Sequence, residues 1–477
     1  MKNLWILLLS CCCSVGLFAQ EDQMPGKLKT ENTDGDLEQK LFYAIWEKDY
    51  DAVVNAVNSG ASLKKRYTYE KYSGECKTWS VMHAAAAVGD IKIFKYLHQQ
   101  GGNINDKLPN GEDGKEIHQG LFTPLHLAAG YHSIEVLEYL LEKGVDADVK
   151  ANWNRTPLVH AIRSHDYDNL DVVKILVKNG ADINVRHAHQ ATPLFDACTW
   201  GKYEMAEFLL EKGADPNAMS RTCSPYSSYK VPPMFCAIWW KKNELLPLLY
   251  DHGANLNPDI ENSMLHQAAD CGNLYAAAFL IKRRAKRDVV NNEGKTALDV
   301  AKEKGNASMI YLLKNGKLSE KDAKIQKLMA SDAFKHFKPA GRKAPELKLS
   351  DINGNPVSID DYKGKVVILN IWATWCPPCL REMPHFKTLK EKVGRDVVIL
   401  ASSIDRELSK VKDFSKNNDY PFTYLHDPKA SLRSSYGGAV PATFVIGPDG
   451  VIQSSVDGSL DWSKDEYKEY INLLLED

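Results

Sequence analysis

The sequence predicts a multidomain protein, an all-α repeat solenoid followed by an α/β domain built on a central sheet. Three observations predict it. One short phrase recurs along residues 36–316. From about residue 341, strand-like and helix-like segments alternate. Where the first long strand of that second region gives way to a helix lies Trp375-Cys376-Pro377-Pro378-Cys379.

Residues 1–19 read as a targeting signal. Lys2 is the positive start, Leu4 to Leu9 begin the apolar stretch, and Leu17-Phe18-Ala19 ends on a small residue, which places cleavage before Gln20. The stretch is too short for a lasting membrane span, and Glu21-Asp22 follows at once. Leu8-Leu9-Ser10-Cys11 also resembles a bacterial lipoprotein box, the alternative in which Cys11 keeps a lipid anchor. No other segment reads as a span, so an exported and otherwise soluble protein is expected. With 44% apolar and 26% charged residues and a formal net charge of −2, the composition gives no reason to expect nucleic acid as a partner.

The repeats come next. Their phrase appears as Thr123-Pro-Leu-His-Leu-Ala-Ala129, Thr156-Pro-Leu-Val-His-Ala161, Thr192-Pro-Leu-Phe-Asp-Ala197 and Thr296-Ala-Leu-Asp-Val-Ala301, with weaker copies elsewhere. Each copy is followed by a second amphipathic segment and a Gly-Ala-Asp-type turn. Anchors at Leu41, Met82, Leu125, Leu158, Leu194, Met234, Leu265 and Leu298 define about eight repeats, with insertions near 64–78, 106–119 and 219–231. Thr and Pro start the first helix as cap and first helical residue. Small alanines allow close helix packing, and glycine takes the left-handed turn after the second helix. Each unit buries its apolar face only against the next, which makes a solenoid with a concave surface. This pattern resembles the ankyrin repeat. The signature histidines His83, His126 and His266 are expected to be structural hydrogen-bonding residues.

Two residues after the small-residue core of each first helix are expected to face the concave side. There the column carries Tyr131, Arg163, Trp200, Trp239 and Trp240, residue types that dominate binding hot spots. They are the candidate contacts for a protein ligand. The competing reading packs these aromatics onto neighbouring repeats or the long insertions. Residues 317–339 read as a helical linker with Ile325, Leu328 and Met329 on one side. Pro339 to Pro345 then breaks the pattern, and the second domain is placed at 340–477.

In that domain strands are expected at Val366–Trp372, Val397–Ser403, Phe422–Leu425, Thr443–Ile446 and Val451–Ser455, and helices at 378–393, 407–418 and 461–475. The alternation implies a largely parallel sheet with helices on both faces. Cys376 precedes the first helical turn, where unpaired N–H groups and the positive dipole end favour a thiolate. A thiolate attacks disulfides, and a second thiol three residues on resolves the mixed disulfide. A zinc site needs two more ligands, and the mature chain has no second Cys-x-x-Cys. No metal or cofactor is called for. The remaining cysteines, Cys76, Cys198, Cys223, Cys236 and Cys271, are scattered and read as small buried residues; Cys223 and Cys236 form the one pair spaced for a bridge.

Several marks together resemble the thioredoxin fold, in the TlpA-like branch of exported bacterial thiol–disulfide oxidoreductases. They are Ala344-Pro345, Asp360 to Lys365, Asn370-Ile-Trp-Ala-Thr-Trp-Cys-Pro-Pro-Cys379, Glu382-Met-Pro384 and Val440-Pro-Ala-Thr-Phe-Val-Ile-Gly-Pro-Asp-Gly450. The resemblance implies that Cys376 attacks and Cys379 resolves, the two forming the redox-active disulfide. It makes Pro441 the cis-proline that lies against that disulfide, with Trp375 and Val440 as neighbouring substrate contacts. Pro384 matches the proline that kinks the active-site helix. Glu382, one turn beyond Cys379, matches the carboxylate that handles the proton of the buried thiol; Asn370 occupies the place of an aspartate found in many cytosolic thioredoxins and cannot relay a proton. Tyr436-Gly-Gly-Ala-Val-Pro441 is shorter than the family's usual link and bears on substrate preference.

The function this predicts is that of an exported, periplasmic bacterial enzyme that reduces or isomerises protein disulfides. The resemblance implies a membrane thiol carrier as its electron donor, and the ankyrin array is expected to bind a protein partner. The alternative is an ankyrin-based binding or scaffold protein whose Cys-x-x-Cys is a redox switch. A thioredoxin-fold peroxidase fits poorly, because Leu369 stands where that chemistry usually places a proline.

Overall fold

The computed structural model describes residues 37–70, 76–109, 120–164, 169–221, 230–437 and 440–476. The expected leader, its lipid box and Cys223 lie outside these residues. The chain divides into two compact units, one ending at Asn255 and one running from Leu256 to Asp477.

In the first unit the described residues form helix pairs in repeat order. They are Leu37–Trp46 with Tyr50–Asn58, Val81–Val88 with Ile91–Gln99, Pro124–Gly130 with Ile134–Glu142, Pro157–Arg163 with Leu170–Lys178, Pro193–Trp200 with Tyr203–Glu211, and Pro233–Trp239 with Leu245–Asp251. The anchors Leu41, Met82, Leu125, Leu158, Leu194 and Met234 are all buried. The Thr156 and Thr192 side chains accept from the N–H groups three residues on, with proline at the start of each helix. Gly180 (φ +93°) and Gly213 (φ +91°) take the left-handed turn after the second helix.

The signature histidines stitch one repeat to the next. Nδ1 of His83 lies 2.7 Å from the Ser80 hydroxyl, and its Nε2 donates to Phe122 O at 2.9 Å. His126 spans Thr123 Oγ1 at 3.0 Å and Arg155 O at 3.1 Å. Burial pushes these rings down to about 4 and about 3, so both are neutral near neutral pH. The insertion near 64–78 includes an antiparallel pair, Arg66–Glu70 with Cys76–Ser80. The one near 219–231 includes Ser220–Arg221 paired with Lys230–Val231.

The second unit begins with two more helix pairs, Met264–Asp270 with Leu274–Lys282 and Ala297–Glu303 with Ala307–Asn315. Leu265 is buried, whereas Leu298, in the last repeat, is half-buried. Here Arg284 (φ +63°) stands where the earlier repeats place their turn glycine. Helix Glu320–Met329 follows, and its Ile325, Leu328 and Met329 pack on a core that contains Phe334, Phe337, Trp462 and Tyr470.

The sheet domain of this unit comprises β1 (Phe337–Lys343), β2 (Val366–Trp372), α1 (Pro377–Val393), β3 (Val397–Ser403), α2 (Leu408–Asn417), β4 (Thr423–His426), α3 (Ser431–Tyr436), β5 (Ala442–Ile446), β6 (Val451–Asp457) and α4 (Asp465–Leu475). The strand order is β4-β3-β2-β5-β6-β1. Every residue of β2 is buried, as a strand covered on both faces requires. Val366 and Ile368 enter the core with Phe386 and Leu389 of α1, while Val367, Leu369 and Ile371 enter the opposite core with Leu432 and Tyr436 of α3.

The sheet is mixed rather than largely parallel. β2, β3 and β4 are parallel, but β5 runs antiparallel to β2, β6 to β5 and β1 to β6. The link Gly447–Gly450 is too short for the crossover that a parallel pair needs, so β5 and β6 form a hairpin. The stretch expected to break the pattern at Pro339 is itself a strand. β1 is at the sheet edge, where proline is tolerated.

Candidate active site

β2 ends at Trp372, and the chain turns through Ala373, Thr374 and Trp375 into α1. Cys376 is the N-cap of α1, with Pro377 and Pro378 in the first helical turn, where the missing N–H groups cost nothing. Its Sγ is bonded to that of Cys379 and accepts from the Cys379 N–H at 3.3 Å. Cys379 is fully buried and Cys376 nearly so, whereas Trp375 is 64% exposed. The two cysteines pack with Trp372, Met383, Val411, Tyr424 and the half-buried Val440. The Val440–Pro441 peptide is cis, and Pro441 is buried at the start of β5. Pro384 lies inside α1.

Glu382 is one turn beyond Cys379 and 1% exposed. Its Oε1 accepts from Trp462 Nε1 at 2.6 Å and from the Leu460 N–H at 3.4 Å, and its Oε2 accepts from Asn370 Nδ2 at 3.4 Å. Asn370 also donates to Thr443 Oγ1 at 3.0 Å, which ties β2 to β5 across the site. Burial pushes the Glu382 carboxyl up to about 7, against these three donors, which favour the charged form. The arrangement therefore joins a disulfide at a helix N-terminus, an exposed tryptophan beside it and a buried carboxyl that burial raises to about 7. Among the described residues no cluster of His, Cys, Asp and Glu is arranged to hold a metal ion.

The AhpC/TSA family matches residues 340–455, and the family of ankyrin repeats (3 copies) matches 41–151, 81–187, 144–220 and 232–324. Thiol-disulfide oxidoreductase ResA of Bacillus thuringiensis subsp. konkukian is 34% identical over 133 residues, 28% of this chain and 76% of that protein. The chain belongs to the thioredoxin-like thiol–disulfide oxidoreductases. Thioredoxin-like protein YneN of Bacillus subtilis is similar as well, 32% identical over 136 residues, 28% of this chain and 79% of that protein. The ankyrin repeat domain of human ASB11, a crystal structure, is 24% identical with a TM-score of 0.42, covering 50% of this chain and 99% of that one.

Two parts of this oxidoreductase's site had no counterpart in the sequence reading. One is Trp462, eighty residues after Glu382. The other is Asp405, fully buried, which accepts from Thr374 N at 2.8 Å, Thr374 Oγ1 at 2.7 Å and Ser403 Oγ at 2.6 Å. Asp405 fastens the loop that carries Trp375 to the end of β3. Its signal was its place just past the carboxyl end of a buried strand, where α/β sites gather.

The residues expected on the ankyrin surface divide into two groups. Tyr131 packs edge-on against Trp79 of the strand Cys76–Ser80, with ring centroids 6.1 Å apart. Arg163 is paired at 2.8 Å with the buried Asp196 of the next repeat, and Trp200 is half-buried. Trp239 and Trp240 are 38% and 44% exposed.

Proposed function

We propose that this oxidoreductase is exported to the periplasm, where it reduces or isomerises protein disulfides through Cys376 and Cys379. The single observation that carries the reading is the placement of Cys376 at the α1 N-terminus, bonded to Cys379. In the reduced enzyme the helix end stabilises the Cys376 thiolate. That thiolate attacks one sulfur of a substrate disulfide, forming a mixed disulfide and releasing the other sulfur as a thiolate. Glu382 accepts the proton of the Cys379 thiol. The Cys379 thiolate then attacks Sγ of Cys376, closing the enzyme disulfide and freeing the second substrate thiol. Two electrons pass from the enzyme dithiol to the substrate, and a membrane dithiol carrier restores them. Trp375, Val440 and the backbone at Pro441 receive the substrate chain. Export rests on the leader-like residues 1–19.

In this reading residues 36–316 hold a protein partner, 340–477 perform the chemistry and 317–339 join them. Exposed aromatic surface at Trp239 and Trp240 supports the binding role. The test is turnover. With excess dithiothreitol and a protein disulfide substrate, the enzyme should reduce many equivalents of substrate. A single stoichiometric oxidation that alters partner affinity would replace this reading with the redox-switch one.

A further inference from the structure

Glu382 has an asymmetric surrounding that the thiol chemistry alone does not explain. The Trp462 indole is fully buried and clamped on several sides. Its ring stacks on Phe386 at 5.3 Å between centroids, meets Phe337 edge-on at 5.5 Å and tilts against Tyr467 at 5.3 Å. The N–H it holds out reaches Oε1 of Glu382 at 2.6 Å, and the Leu460 N–H approaches the same oxygen. Among the described residues Oε2 has one contact, Asn370 Nδ2 at 3.4 Å, and the Oδ1 of that amide is buried without a hydrogen-bond partner. An indole N–H can only donate. Oε1 is thereby committed as an acceptor in both protonation states. A proton on Oε2 finds an acceptor in Asn370 Oδ1 once that amide turns over, an exchange of roles open to an amide and closed to an indole.

We propose that Trp462 is a positioning residue for the proton step: its indole N–H fixes Oε1 of Glu382 as a standing acceptor and leaves Oε2, facing Asn370, as the oxygen that takes up and releases the proton. This rests on the proton-handling role of Glu382 proposed above. The N–H also favours the charged carboxylate, opposing the burial that holds the carboxyl up near 7. The titratable groups on the surrounding elements are few. Cys379 on α1 titrates only when reduced. His385, on α1, is half-buried and meets Leu460 O at 3.3 Å and, at 3.6 Å, the carboxylate of the exposed Asp461. On α4, Tyr467 and Tyr470 point their hydroxyls at Ala333 O and Ser454, and burial pushes both upward.

The test uses the full chain and two readouts. In the oxidised wild type the Trp462 indole N–H resonance should titrate with a midpoint near that of Glu382, and in Glu382→Gln it should stay flat. In the reduced protein, Trp462→Phe should move the midpoint of the thiol-reactivity pH profile upward by about one unit or more, because a hydrogen bond to a charged group is lost. Its plateau at high pH should match wild type. If the midpoint is unmoved in a folded Trp462→Phe protein, the proposal is overturned. If that variant does not fold, the wild-type indole titration decides, a flat resonance overturning the proposal and a titrating one supporting it. A Glu382→Gln profile identical to wild type removes the proton role of Glu382 itself, and with it the proposal, and is distinguished by arising without any change at Trp462.

Discussion

Replacing Glu382 by Gln should flatten the pH dependence of stability of the oxidised protein. Burial raises this carboxyl from 4.5 to about 7 in the folded state. A raised folded value means that the native state binds the proton more tightly than the unfolded chain. The resulting stabilisation is complete below the unfolded value and is lost as pH rises through the folded one. That rise in the carboxyl's pKa corresponds to about 3 kcal/mol, of which about 2 kcal/mol falls between roughly pH 5.5 and 8.5. Glu382 is almost wholly buried, so solvent screening takes little from this figure. Urea unfolding of wild type and Glu382→Gln, each oxidised and followed across that range, measures it. The wild type should lose about 2 kcal/mol relative to the variant as pH rises. Histidines and surface acids common to both proteins cancel in the comparison. Parallel stability curves would refute the account of Glu382 as a buried acid with a raised pKa.

Other outcomes follow from the same structure. Trp239→Ala with Trp240→Ala should weaken capture of the protein partner while leaving reduction of a small disulfide unchanged; unaltered capture in a pull-down from an exported-protein extract would remove this surface from the binding role. A fragment starting at residue 340 forfeits Phe334, Phe337 and the cover from helix Glu320–Met329. It should be less stable than one starting at residue 317 by about 3–6 kcal/mol in denaturant unfolding, the worth of two buried phenylalanines; equal stability would show the helix to be a mere tether. Arg284→Gly should stabilise the second unit by about 1 kcal/mol, since the exposed Arg284 holds a left-handed backbone that glycine adopts freely; an unchanged unfolding midpoint would contradict this. The reduction potential, measured against a glutathione buffer, should be about −270 mV, as for thioredoxin, and a value of about −120 mV would assign the enzyme to disulfide formation instead.

What was legible in the sequence depended on how local its cause is. β2 and β3 were readable to the residue, because a run such as Val366 to Trp372 states its burial in its own composition. The repeats were readable because most carry local signals of their own, a capping Thr or Ser, a proline at the helix start or a turn glycine. Strand direction was less so: it depends on connection lengths, and the brief link at 447–450 had already ruled out a parallel β5–β6 pair. β1 was hidden because Pro339 and Gly341 erase the alternation that marks a strand, and its pairing is purely tertiary. The two thiols stood out as a Cys-x-x-Cys motif, and helix spacing placed Glu382 on the side of Cys379. Trp462 and Asp405 were not legible, since no spacing rule links residue 382 to residue 462. Tyr131 and Arg163 show the limit on the ankyrin side, where an aromatic or arginine at a position expected to bind a partner joins one repeat to its neighbours.

The attacking role of Cys376 is tested most directly by trapping. Cys379→Ser, reduced and then mixed with a disulfide-bonded protein, should accumulate a covalent adduct on a non-reducing gel that dithiothreitol releases. Peptide mapping should place the linkage at Cys376, and Cys376→Ser should give no adduct. An adduct formed through Cys379 in Cys376→Ser, with none in Cys379→Ser, would contradict the account.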